Sequence, residues 1–208
     1  MNSIRNRARE NFPSVLLTLL SIIQAIALES LWDHARHRPE LYSASWDALL
    51  GWLQIAVTLN VIVLIWMVYV GLVMRFRWTP AVTDSIMPFL VGLIQFMMID
   101  LMGPENLGKW TLVIGLIAVL VTYLDHSSMR RARRDPENRE FFEKIPAAVW
   151  RDFIPQGFAV LFSGVAGTWL WYSGDYGWFA LLVLLFALTA MAHYAYVQTK
   201  FWRVSMGN

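Results

Sequence analysis

The chain has 208 residues, of which 57% are hydrophobic and 15% charged, with a formal charge of +2 and a mean hydropathy of +0.47. So little polar surface cannot wrap a soluble domain, and the composition points to a membrane protein. With no cysteine, disulfides, thiolate metal sites and cysteine nucleophiles are excluded; the pI near 9.0 reflects basic loop collars suited to anionic lipid, and nucleic-acid binding is not expected.

Six apolar segments occupy residues 13–33, 46–74, 79–102, 109–129, 152–171 and 178–199. Each approaches the ~20 residues that a helix rising about 1.5 Å per residue needs to cross a bilayer. The expected fold is an all-α polytopic bundle, one six-span domain covering residues 1–208. Of the 17 Lys and Arg residues, all but Arg36, Arg38 and Lys109 fall at the termini or in alternate loops on the same side. Because short cytoplasmic loops retain Lys and Arg, both termini are expected inside, in a bacterial inner membrane. Trp32, Trp46, Trp110, Trp171 and Trp178 at outer ends, and Trp78, Trp150 and Trp202 at inner ends, fit an aromatic belt at both interfaces.

Span one follows Arg5, Arg7 and Arg9, as a signal peptide would. It is longer than an h-region and runs into Glu29, Ser30 and Asp33 without a small-x-small cleavage site, so it reads as a retained span. At 100° per residue Ser14, Thr18, Ser21, Ala25 and Glu29 share one narrow arc, with Gln24 beside it. A carboxylate deep in hydrocarbon costs roughly 2.5–3.5 kcal/mol, so Glu29 is expected to face water, a partner or a helix interface. The stripe reads either as the lining of a pathway or as helix–helix glue.

Gln24, Asn60 in span two and Gln95 in span three fall near mid-membrane, where each amide needs a hydrogen-bond partner. They are expected to form one polar layer, a clamp between spans one to three or a hydrated ion path. Thr79-Pro80 resembles a helix start, Pro88 with Gly92 predicts a kink, and Gly103-Pro104 ends span three. Asp84 lies near the inner end of that span; Asp100 and Glu105 sit near the outer mouth, where acids concentrate cations or are simply solvated.

His126 in span four and His193 in span six could bridge a haem, or sit at the interface with polar partners such as Asp125. His34 and His37, beside Asp33 and Glu40, read as metal ligands or solvated loop residues. The basic loop 130–151 opens with Arg130, Arg131, Arg133 and Arg134, then Asp135-Pro136-Glu137 caps a short helix expected on the inner leaflet. Phe141, Phe142, Ile145, Val149 and Trp150 would enter the lipid while the arginines pair with phosphate or dock a partner. In span five Ala159, Ser163 and Gly167 recur every four residues as a packing seam. Neither a Gly-rich phosphate loop nor a nucleophile elbow occurs in the sequence, and no enzyme activity, metal or cofactor is expected.

The lead-in Arg9-x-x-Phe12-x-Ser14, the aromatic-containing span two ending near Trp66, and Met87-Pro88-Phe89 in span three resemble the bacterial members of the endosomal and lysosomal potassium-channel family. That family's lead-in reads Phe-Ser-Asp, where this chain has Phe12-Pro13-Ser14. The resemblance implies a homotetramer whose first helices line a pore for monovalent cations, without a separate selectivity loop. It also implies a bulky aliphatic constriction on that helix, among Leu17, Leu20 and Ile23. The first expectation is therefore a homo-oligomeric cation channel with span one as its water-facing helix. The second is a non-conducting sensor or scaffold that docks a cytosolic partner through its Arg-rich loop, and the third a membrane haem or quinone protein.

Overall fold

The structure, a computed structural model, describes residues 2–77 and 82–206. Seven helices follow in order: α1 (Asn2–Arg36), α2 (Trp46–Arg75), α3 (Val82–Asp100), α4 (Leu107–Ala132), α5 (Arg139–Lys144), α6 (Ile154–Ser173) and α7 (Trp178–Met206). All but α5 are long and apolar enough to cross a membrane. No strand occurs among the described residues. The expected start at Thr79-Pro80 and the belt residue Trp78 lie outside the described residues.

Local chemistry sets some of the helix ends. Ser45 caps α2, its hydroxyl accepting from the Ala48 N–H at 3.1 Å. Gly174, at φ 63°, closes α6 in the left-handed conformation. The start of α1 departs from expectation. Helix continues upstream of Pro13, whose ring removes one backbone donor without ending the helix. At 35 residues α1 is roughly 50 Å long, well beyond the hydrocarbon thickness. Helix α3 likewise runs on through Pro88, and Gly92 has a packing role: a Cβ there would lie 2.6 Å from Ile23 Cγ2, so α1 seats a side chain against the α3 backbone.

The packing pairs form a closed circuit, α1 to α2 to α7 to α6 to α4 to α3 and back to α1, with α2 also reaching α3 and α4 across it. The closest pair is α4 with α6. A Cβ on Gly108 would fall 2.3 Å from Trp171 N, and one on Gly115 3.2 Å from Ser163 Cβ, so absent side chains let the backbones meet. Ser163 and Gly167 lie buried in that seam. The core between helices holds Leu50, Val57, Ile62, Met98, Trp110 and Leu184, all essentially inaccessible. Large apolar side chains such as Leu93, Leu161, Val165 and Leu182 point outward, as on helices whose solvent is lipid.

The start of α1, the α2–α3 and α4–α5 connections and the end of α7 meet at one end of the bundle: Arg9 contacts Asp135, Arg77 contacts Glu137, and the Arg75 guanidinium lies over the Trp202 ring. This is the basic end.

Candidate functional site

The side of α1 that meets α2 and α3 carries Leu16, Leu20, Ile23, Gln24, Ala27 and Leu31, all buried. The opposite side is open. Ser14, Thr18, Ser21, Ala25 and Glu29 are exposed there, and a shallow groove is lined by Ser14, Leu17, Thr18, Ser21, Ile22 and Ala25. Thr18 Oγ1 donates to the Ser14 carbonyl at 2.9 Å, so that hydroxyl is satisfied by its own helix. Among the described residues, the stripe makes no hydrogen bond or ion pair to another helix of the chain. It does not glue α1 to α2 or α3, because those contacts use the other face.

The aliphatic constriction candidates separate on the same geometry. Leu17 lines the groove, half-buried. Leu20 is 0% exposed and Ile23 is wedged against Gly92. Both belong to the core of one chain, a placement that the 100° spacing per residue alone puts on the far side of α1 from the stripe. They are corrected out of the constriction.

Gln24 and Gln95 form a closed amide pair between α1 and α3, each Nε2 donating to the other's Oε1 at 3.1 Å. Both side chains are buried, so the pair satisfies two amides where no water reaches. Asn60 is not part of this layer. It is exposed, and its Nδ2 donates to the Ala56 carbonyl one turn back at 2.8 Å. The inward-facing amide of α2 is Gln54, which sequence reasoning missed. Its Oε1 accepts from the Gly103 N–H at 3.0 Å, and its buried Nε2 has no hydrogen-bond partner. The signal was present in Gly103-Pro104, since a broken helix end leaves a backbone donor needing an acceptor. Gly103 adopts φ 131°, where a side chain would be strained, and a Cβ would fall 2.8 Å from Arg38 Nη1 and 3.0 Å from Glu105 Oε1.

At this end, opposite the basic one, the acids are accompanied by arginine. Glu105 sits beside Arg38 across Gly103, Arg38 donates to the Met102 carbonyl at 3.0 Å, and Arg36 binds Asp33 at 2.5 Å. Asp100 is exposed at the end of α3. Neither Asp100 nor Glu105 is on the open face of α1, which carries Glu29. Of the expected belt, Trp32, Trp171 and Trp178 are exposed and Trp46 donates to the Tyr176 carbonyl at 2.9 Å; Trp52, outside that expectation, donates to the Leu41 carbonyl at 2.8 Å. Trp110 is the exception. It is wholly buried, an anchor of the core rather than an interface residue.

The basic end is a network of paired charges. Arg9 contacts Asp135 and, at 3.7 Å, Glu137; Arg77 binds Glu137 at 2.8 Å. Asn138 is buried, its Oδ1 accepting from the Arg77 N–H at 3.0 Å while its Nδ2 donates to the Arg77 and Ala132 carbonyls. The start of α1 is thereby tied to both connections. Asp135→Ala should release it: amide exchange over residues 7–12 is expected to rise on the order of tenfold, about what one charge-assisted hydrogen bond is worth. Unchanged exchange by mass spectrometry would show that the tie carries no weight.

The four arginines of the loop do not act as one cluster. Arg131 turns into the bundle and binds Asp84 of α3 at 2.5 Å, and Arg133 lies over the Phe142 ring at 4.5 Å and donates to the Ile145 carbonyl. Arg130 and Arg134 remain exposed. Phe141 and Phe142 pack against Phe76, with ring centroids 4.8 and 5.4 Å away, so α5 folds its aromatic side onto the bundle instead of into lipid. Val149 and Trp150 are exposed.

His126 is exposed on α4, edge-on to Phe153, and His193 is exposed on α7. Helix α4 packs chiefly on α6 and α3, and α7 on α2 and α6, so the two imidazoles are not on a shared packing face. Asp125, next to His126, is half-buried, and Gln198 of α7 donates to the Tyr194 hydroxyl at 3.0 Å. No group of three or more metal-ligating side chains occurs among the described residues. No family model matches the chain, and neither a curated protein nor a solved structure matches it.

Proposed function

We propose that the chain is a homo-oligomeric cation channel of a bacterial inner membrane, with the open face of α1 lining a central, water-filled pathway. The observation that carries this reading is the polar stripe Ser14, Thr18, Ser21 and Glu29 on a face that, among the described residues, no other helix covers. Such a face is too polar for acyl chains and needs water or other copies of itself. Several copies around an axis supply both. The positive-inside rule turns the basic end to the cytoplasm, and Glu29 then stands toward the outer mouth, where a carboxylate ring favours monovalent cations. Leu17, the one aliphatic constriction candidate on the open face, narrows the path from the basic side.

Thr18→Cys and Ser21→Cys should react with small water-soluble thiol reagents in the intact oligomer, and liposomes holding the purified protein should pass monovalent cations. Labelling of Ser43→Cys, exposed in the loop before α2, gives the reference. If both stripe cysteines stay unreactive while Ser43→Cys labels, the stripe is a structural seam between copies. A second reading, a non-conducting scaffold subunit, draws on the exposed Arg130 and Arg134 at the basic end as its docking residues. Liposomes silent to cations would favour it.

A further inference from the structure

A cavity of about 30 Å³ lies where α1, α2, α3 and α4 converge toward the basic end, away from the open face of α1. Its walls are mostly apolar, with Leu16 from α1 and Leu72 from α2, but three polar groups also line it: Tyr69 of α2, Asp84 of α3 and Ser128 of α4. The Tyr69 hydroxyl is buried and has no hydrogen-bond partner, and neither has the buried Nε of Arg131, whose Nη2 binds Asp84. A phenol shut away from bulk solvent needs a hydrogen-bond partner, and none of the described residues supplies one here.

We infer that this cavity is a binding site for ordered water, held between the Tyr69 hydroxyl and the Asp84 carboxylate with Ser128 as a third partner. The size fits, since a cavity of about 10–15 Å³ or more admits a water, which requires two to four polar partners to remain in a protein. Charge narrows the choice of occupant. Arg131 already neutralises Asp84, which removes the drive for a second cation, and the carboxylate repels an anion. An apolar occupant would leave the Tyr69 hydroxyl unpaired. Water alone accepts from Tyr69 and donates to Asp84 at once. This inference rests on the cavity and is independent of the channel reading.

The test uses the full chain in lipid nanodiscs. A structure at a resolution that shows ordered water should place one within hydrogen-bonding distance of Tyr69 Oη and Asp84. Hydroxyl-radical footprinting by X-ray radiolysis, which marks side chains beside bound water, should oxidise Met87, half-buried on the cavity wall, at a rate that Tyr69→Phe lowers several-fold, with Met98 in the dry core as the slow reference. Tyr69→Phe keeps the ring, removes one water partner, and should bring the Met87 rate down toward that of Met98. An empty cavity in the density, or a Met87 rate that Tyr69→Phe leaves unchanged, overturns the proposal.

Discussion

Gly108→Ala is expected to be among the most destabilising single-methyl changes in this chain, lowering stability by about 3 kcal/mol, the upper end of the overpacking range. The added Cβ would lie 2.3 Å from Trp171 N, 2.6 Å from Trp171 Cα and 2.8 Å from the Gly167 carbonyl oxygen. All three are backbone atoms of α6, so no rotamer change relieves the clash and the two helices must separate. Separation exposes the seam that also holds Gly115 against Ser163. Gly167→Ala should cost less, because its Cβ meets Leu112 Cγ at 2.9 Å, a side chain that can shift, although the Gly108 carbonyl stands at 3.0 Å. Gly164, on the same helix with nothing within 4 Å, is the control. Gly164→Ala should be neutral or stabilising, since alanine in a helix is favoured over glycine by about 1 kcal/mol. Thermal melts of the detergent-solubilised protein, followed by tryptophan emission, should rank the variants Gly164→Ala, Gly167→Ala, Gly108→Ala from most to least stable. Equal melting of Gly108→Ala and Gly164→Ala would disprove the close approach of α4 and α6.

The second large effect is a coupling. Gln24→Leu or Gln95→Leu alone leaves one buried amide facing an apolar side chain, and each should destabilise by about 1–2 kcal/mol, between the values for membrane hydrogen bonds and for orphaned buried groups. Gln24→Leu with Gln95→Leu removes both amides and should cost less than the sum, with a coupling of about 1 kcal/mol. Since the reciprocal bonds join α1 to α3 within one chain, oligomeric state on size exclusion should not change. Strict additivity of the two losses would mean that the amides do not meet. Asn60→Leu, by contrast, removes a side chain bonded only to its own helix and should move stability little.

The number of long helices was legible in the sequence because an apolar run of about 20 residues has few ways to exist in a chain this hydrophobic. The stripe on α1 was legible too, since helical spacing is local and places Ser14, Thr18, Ser21 and Glu29 on one face whatever surrounds them. Spacing does not say what covers a face. That the stripe looks outward while Leu20 and Ile23 look inward was decided by α2 and α3, whose docking surfaces lie dozens of residues away along the chain. The amides show the same division. Gln24, Gln54, Asn60 and Gln95 carry the same kind of polar group in similar apolar surroundings, yet Gln24 meets Gln95 across 71 residues, Gln54 meets Gly103, and Asn60 turns back to its own helix. At the basic end, Arg131 reaches Asp84 while Arg130 stays exposed, because successive residues on a helix point 100° apart and only one of them faces α3. Composition and periodicity determine which groups must find partners; the packing of the spans decides which partners they find, because that choice depends on distances between helices that no local pattern contains.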